Sequence, residues 1–225
     1  MTLAQPPLLE GEQREHRMPT TLDAFLGDKL MLEQPAQGYR AGLDAVILAA
    51  AVTPDRVTRD GCEEGATFDV LDVGAGVGTA GLCVATRLRN ARVTLAEREP
   101  ALLALAAANL DRNALTARAR CWPVDVLARP KADHVQLYDH VIANPPFHEQ
   151  GHGTAAPDGL KARSHAMPRD ALDLWARFIA RHCRPGGTAS MIMPATRLFA
   201  LLQAFEGRFG NVMIRPLAPR EGVEA

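Results

Sequence analysis

Long apolar runs are missing from this sequence. The longest aliphatic stretch, Ala45–Val52 (AVILAAAV), falls far short of the roughly 20 apolar residues that cross a bilayer, so no transmembrane helix is expected. The amino terminus, MTLAQPPLLEGEQREHRMPT, has neither the basic start nor the apolar stretch of roughly 7–15 residues that mark a signal peptide, and a cytoplasmic protein is expected. Cysteine is sparse: Cys62, Cys83, Cys121 and Cys183 include no C-x-x-C pair, which excludes a zinc site or disulfide framework of the usual spacing and leaves buried or incidental thiols. What remains is 225 residues, 47% apolar and 23% charged. That is one ordinary globular domain with enough chain to bury a core, and not a disordered or collagen-like one.

The sequence also lacks a dominant charge sign. The net charge of −1 argues against coating nucleic acid by bulk electrostatics. The average hides an asymmetry, because residues 1–147 hold 15 basic and 19 acidic side chains and residues 148–225 hold 10 and 7. The densest basic stretch carries Lys161, Arg163, Arg169, Arg177, Arg181 and Arg184 against Asp170 and Asp173. Such a run is either a solvated helix face or a phosphate-binding surface. Lysine is scarce, with 3 against 22 arginines, which genome composition explains as readily as phosphate recognition.

Residues 1–20 show no periodicity and read as a loose tail. Residues 21–66 read as an amino-terminal extension: a hairpin over Leu22 to Gln34 turning at Gly27-Asp28, then a helix over LDAVILAAAV stopped by Pro54. Residues 67–225 form the main domain. Strand-like runs at 68–73, 92–96, 118–124, 138–143 and 188–193 alternate there with helical stretches at 79–89, 100–113, 169–183 and 196–206. This alternation predicts an α/β fold with a parallel sheet between helices, whose ligands bind beyond the carboxyl ends of the strands where the topology switches direction.

The first regular strand runs into Asp72-Val-Gly74-Ala-Gly76-Val-Gly78 ahead of a helix. Glycines there let a ligand approach main-chain atoms closely. Residues 76–81 also match the dinucleotide fingerprint G-x-G-x-x-G, with Glu97 about 20 residues on. An acid two positions before the first glycine suits a ligand with a positive amino group better than a pyrophosphate. D-x-G-x-G-x-G is the pattern of S-adenosylmethionine binding. Glu97, ending the second strand, can accept from both hydroxyls of a ribose, and Asp125, after the third, can accept from an adenine amino group. As solvated turn acids they would carry no function.

Directly after YDHVIA stands Asn144-Pro145-Pro146-Phe147. Two prolines end the strand and stiffen the corner at the ligand-binding edge. An exocyclic amino group conjugated to a base or carbonyl is a poor nucleophile because its lone pair is delocalised. The Asn144 side-chain oxygen and the Pro145 carbonyl can accept its two hydrogens, draw the nitrogen towards tetrahedral geometry and free the lone pair for attack on a sulfonium methyl. Phe147 can stack on the planar acceptor, by roughly 1–3 kcal/mol for a base, and a base in nucleic acid must leave its stack to reach the corner.

On these motifs the sequence resembles class I S-adenosylmethionine-dependent methyltransferases with the N-P-P-[FY] motif, of the small-methyltransferase-domain type. The stretches DAFLGDKLMLEQPAQGYRAGLDAVILAAAV, VLDVGAGVGTAGLCVATRL and YDHVIANPPF are similar to the tRNA(Val) adenine-N6 methyltransferase group, over about residues 21–220. The resemblance implies a Rossmann-like sheet of order 3-2-1-4-5-7-6 and S-adenosyl-L-methionine as cofactor. Asp72, Gly74, Gly76 and Gly78 are then its loop, Glu97 its ribose acid, Asp125 its adenine contact, and Asn144, Pro145, Pro146 and Phe147 the catalytic corner. It also implies that Arg40, Gly42 and Asp44 help cover the cofactor, Asp44 equally fitting as a helix-supporting residue. The expected reaction is methylation of adenine N6 in tRNA, without metal or membrane, by a monomer. The same corner would serve guanine N2 in rRNA or a glutamine side-chain amide in protein. A non-catalytic cofactor-binding module or a nicotinamide enzyme is the reading from a different class.

The Gly/His/Pro-rich loop from His148 to Asp170 is expected to be mobile, with Lys161, Arg163 and Arg169 meeting RNA phosphates. Trp175 is expected in the core. After the fifth strand come a helix and a sixth strand, NVMIRPLAP, with six residues beyond it. The seventh strand of the family is therefore expected to be missing, leaving a bare sheet edge or a direct pairing of strands five and six.

Overall fold

The computed structural model describes residues 18–38, 40–53, 66–128, 135–146 and 171–217, together with two short backbone segments at 148–149 and 166–167. Five parallel strands form the central sheet: β3 (Phe68–Val73), β4 (Ala91–Glu97), β5 (Ala119–Pro123), β6 (Tyr138–Ala143) and β9 (Cys183–Met191), in spatial order β5-β4-β3-β6-β9. The chain builds outward from β3 through β4 to β5, then returns to add β6 on the opposite side of β3. The switch in direction therefore lies between β3 and β6. In FDVLDV every residue but Asp69 is buried, as both faces of the sheet are covered.

One face carries α2 (Thr79–Arg87) and α3 (Pro100–Arg112), with α1 (Leu43–Ala50) packed over α2. Val70, Val93, Leu95 and Ile142 from the sheet meet Leu82, Val84, Leu48 and Leu110 there. Arg87 ties the layers together, its guanidinium donating to the Ala49 carbonyl (2.8 Å) and to that of Val52. The other face carries α4 (Ala171–His182) and α5 (Leu198–Phe205). The buried side of α4 recurs at Ala171, Leu172, Trp175, Ala176, Ile179 and His182, the three-to-four spacing of one helical stripe. Trp175 is core, as the spacing predicts.

The amino-terminal hairpin pairs β1 (Thr20–Phe25) with β2 (Leu30–Pro35) through a turn in which Leu26, Gly27 and Asp28 all have positive φ. Two further strands, β7 (His148–Glu149) and β8 (Ala166–Met167), form one short parallel pair between β6 and α4.

The sheet departs from expectation on its β9 side. β9 begins at Cys183, straight after α4, and not at 188. Its register jumps from Tyr138↔Cys183 to His140↔Thr188, so an RPGG bulge stands opposite Asp139. Gly187 fits there because a Cβ would lie 2.8 Å from the Asp139 carbonyl oxygen and 2.9 Å from that of Arg184. The expected sixth strand does not form over the described residues 211–217. Pro216 has no N–H for a ladder, and Val212, Met213, Ile214 and Leu217 are exposed, so no buried face holds the segment to β9. The expected helix at 196–206 starts as a 3₁₀ turn, Ala195–Arg197, before α5.

Candidate active site

Parallel pairing aligns the ends of the strands. Met191, Ala143, Val73, Ala96 and Trp122 form one row across the sheet. The next residues along are Asn144 after β6, Gly74 after β3 and Glu97 at the end of β4. Register alone thus brings the glycine loop, the Glu97 carboxylate and the Asn-Pro-Pro corner to one edge, at the switch point.

The loop bends back onto β4, with the Gly74 and Ala75 N–H groups both donating to the Ala96 carbonyl (2.8 and 3.0 Å) and Gly78 N–H to that of Ala75 (2.8 Å). Its glycines serve different ends. A Cβ on Gly74 would lie 2.4 Å from the Trp175 ring, one on Gly81 2.4 Å from Leu95, and one on Gly78 2.9 Å from the same leucine. These three admit packing from behind. Gly76, at φ 58°, has no atom within 4 Å of its Cβ position. It is the point at which the loop presents bare backbone to open space.

Asp72 is buried, and its Oδ2 accepts from Gly81 N–H at 2.8 Å. Burial pushes its carboxyl up from 3.8 to about 7, with the nearby Glu97 charge adding to the rise and the Gly81 N–H opposing it. The Asp72 carboxyl thus supports the first turn of α2. Glu97 is also buried. Its Oε2 accepts from Gly76 N–H (2.8 Å), and its Oε1 from the N–H groups of Arg98 and Glu99 (2.9 Å each). One carboxylate therefore latches the loop to the end of β4, while Oε2, with one donor, keeps a lone pair for a further one.

Asp125 is exposed. Its Oδ1 accepts from Leu127 N–H (2.9 Å), and Arg98 lies 3.9 Å away. Arg98, Glu99, Pro123, Val124 and Asp125 line an open cleft of about 430 Å³ beside Glu97, on the β4–β5 side of the switch point. On the other side, Pro145 is buried and Asn144 and Pro146 half-buried, and Ile192 N–H donates to the Ala143 carbonyl (3.2 Å), fixing the corner against the end of β9.

Arg40, Gly42 and Asp44 are not gathered into this row. Arg40 grips Asp23 with Nη2 (2.7 Å to each oxygen) and donates to the Thr21 hydroxyl (2.8 Å), so its charge is spent on the hairpin. Gly42 caps α1 and Asp44 lies exposed in its first turn. Phe147, Lys161, Arg163 and Arg169 lie outside the described residues, as does the loop around them apart from β7 and β8. Sequence reasoning missed Asn109 and Asn113 on α3. Both bond the backbone of β2, and their spacing of four along NLDRN was the available signal. Among the described residues no group of three or more His, Cys, Asp or Glu could hold a metal, and no helix is long and apolar enough to cross a membrane.

Residues 61–162 match the family described as the methyltransferase small domain. The tRNA1(Val) (adenine(37)-N6)-methyltransferase of Shewanella sediminis is 33% identical over 178 residues, covering 76% of this chain and 66% of that protein. The chain belongs to the methyltransferase small-domain family. Like the family it is an S-adenosylmethionine-dependent methyltransferase. The residues present fit that cofactor, since Gly76 opens to space beside a buried carboxylate whose Oε2 has a lone pair to offer. The relatives' names differ in what is modified. The release factor glutamine methyltransferase of Chlorobaculum tepidum is 33% identical over 94 residues, 41% of this chain and 32% of that one. Among solved structures, an Agrobacterium tumefaciens protein described as a predicted O-methyltransferase superposes with a TM-score of 0.61 at 29% identity, covering 81% of this chain and 76% of that one. The chain spans about two thirds of the length of the tRNA-modifying relative.

Proposed function

We propose that this methyltransferase acts on adenine N6 in tRNA. The observation that carries the reading is the pairing of Val73 with Ala143, which sets the Asn144-Pro145 acceptor pair directly beside the glycine loop. When bound, S-adenosylmethionine supplies an activated methyl group on a sulfonium. The chain's own task is then positioning and charge. Asn144 Oδ1 and the Pro145 carbonyl accept the two hydrogens of the target amino group, and the rigid Pro-Pro corner holds them in place. Phe147 stacks on the extruded base. Glu97 orients the ribose and Asp125 the adenine of the cofactor. Gly74, Gly76 and Gly78 form its cradle, with Asp72 as a support. Lys161, Arg163 and Arg169 contact phosphates. The names of the tRNA-modifying relatives support this substrate, and the enzyme is proposed to act on it in the cytoplasm as a monomer. The glutamine methyltransferase relative favours one competing acceptor, a glutamine side-chain amide in protein.

The deciding experiment incubates the protein and labelled S-adenosylmethionine with total tRNA, rRNA and protein from a strain lacking the gene. Label in N6-methyladenosine of tRNA is expected. Label confined to 2-methylguanosine or to protein would overturn the reading. In the same assay Asn144→Ala should lower turnover by roughly 10²–10³-fold, as for loss of one preorganised polar group. Cofactor binding, measured by calorimetry, should be kept.

A further inference from the structure

The free edge of β2 is covered by side chains. Asn109, fully buried on α3, accepts from Glu33 N–H through Oδ1 (2.7 Å) and donates through Nδ2 to the Glu33 carbonyl (3.0 Å). Asn113, one turn on, does the same for Met31, accepting at 2.9 Å and donating at 2.8 Å. The geometry matches because four helical residues rise about 6 Å, close to the roughly 6.8 Å between strand residues two apart. The two amides thus act as a substitute strand and seat the hairpin on α3, with Arg112 pairing Glu33 beside them (2.9 Å).

The two amides differ in one respect. The second hydrogen of Asn113 Nδ2 goes back to the Asn109 carbonyl (2.7 Å), within its own helix. The second hydrogen of Asn109 Nδ2 goes to the Val77 carbonyl (3.1 Å), in the middle of the glycine loop. In a trans peptide the C=O and N–H point opposite ways, and the N–H of that same peptide, on Gly78, is held by the Ala75 carbonyl. The peptide joining Val77 to Gly78 is therefore pinned at both ends, at a glycine whose φ of 90° would otherwise let it turn freely. A single NH₂ group holds both that peptide and the hairpin.

We infer that Asn109 is a positioning residue for the cofactor loop, coupling the seated hairpin to S-adenosylmethionine affinity. It touches no reacting atom in this arrangement. Its loss should therefore raise the dissociation constant and KM for the cofactor and leave kcat nearly unchanged. Asn113 is the matched control, giving up the same two bonds to β2 without touching the loop.

The test measures cofactor affinity by calorimetry, and melting temperature, for Asn109→Ala and Asn113→Ala. Both should melt lower than the parent. Only Asn109→Ala should weaken binding at least fivefold more than its control, the lower end of ordinary coupling between sites. Equal affinity losses in the two variants would overturn the inference. Should Asn109→Ala not fold, hydrogen exchange of the unaltered protein decides. Coupling is reciprocal, so saturating S-adenosylmethionine should slow exchange at Glu33 N–H. No change there, while the loop amides become protected, would overturn the inference. Neither measurement depends on the identity of the methyl acceptor.

Discussion

Asp72 illustrates how a single acid changes meaning with burial. From sequence it is a negative charge at the mouth of a ligand loop, while in the fold it has lost water and gained one backbone donor. Between 3.8, its ordinary value, and about 7, the folded chain holds a proton that the unfolded chain has released. Stability from this group is thus greatest on the acidic side of that window, falls as pH rises through about 7, and is flat above it. Asp72→Asn, whose amide oxygen still accepts from Gly81 N–H, should lack this slope. Urea midpoints at about pH 5 and about pH 8 check it, and a slope like the parent's in the variant would count against the protonated buried acid. Burial acts the same way on the Cys83 thiol, pushed up to about 12, which makes it an inert packing group and no nucleophile.

At the scale of elements, the sequence was legible where periodicity and turn chemistry agree. The strands FDVLDV and YDHVIA, the glycine loop and the amphipathic α4 stand where their patterns put them. The parts that were not legible depend on partners far along the chain. Asn109 and Asn113 look like ordinary surface amides until β2, some 76 to 82 positions away, is laid against them. The pairing of Arg40 with Asp23, 17 positions earlier, is likewise invisible until the hairpin is folded. NVMIRPLAP has β-branched and apolar residues, yet a strand on a sheet needs a buried face, and Val212, Met213, Ile214 and Leu217 are exposed. The RPGG bulge in β9 was hidden too, because its demand comes from the backbone of β6. Gly187→Ala should therefore cost about 1–3 kcal/mol by overpacking. Gly210→Ala, with nothing within 4 Å of its Cβ position, should be nearly neutral. Denaturant midpoints compare the two, and similar values would mean that the bulge yields.

Across the whole molecule, apolar exposure is uneven. Phe199 is 73% exposed, and Val212, Met213, Ile214 and Leu217 extend the apolar surface along the final described segment. β9 has no strand beyond it among the described residues. Apolar surface beside an unpaired edge favours self-association. The double substitution Phe199→Lys and Ile214→Lys should reduce concentration-dependent light scattering without lowering the melting temperature. Unchanged scattering would exonerate this surface.

The order in which the sheet is threaded has a consequence for biogenesis. A ribosome synthesises the hairpin, β3, β4, β5 and the helices between them before Tyr138. The half of the sheet that bears the glycine loop, its Glu97 latch and its Asn109 tether can therefore assemble first. Until β6 emerges, the flank of β3 that will receive residues 140–143 is open. The Asn144-Pro145-Pro146 corner is the late arrival. It comes with the strand that closes a waiting gap, so the two sides of the switch point are made at different times.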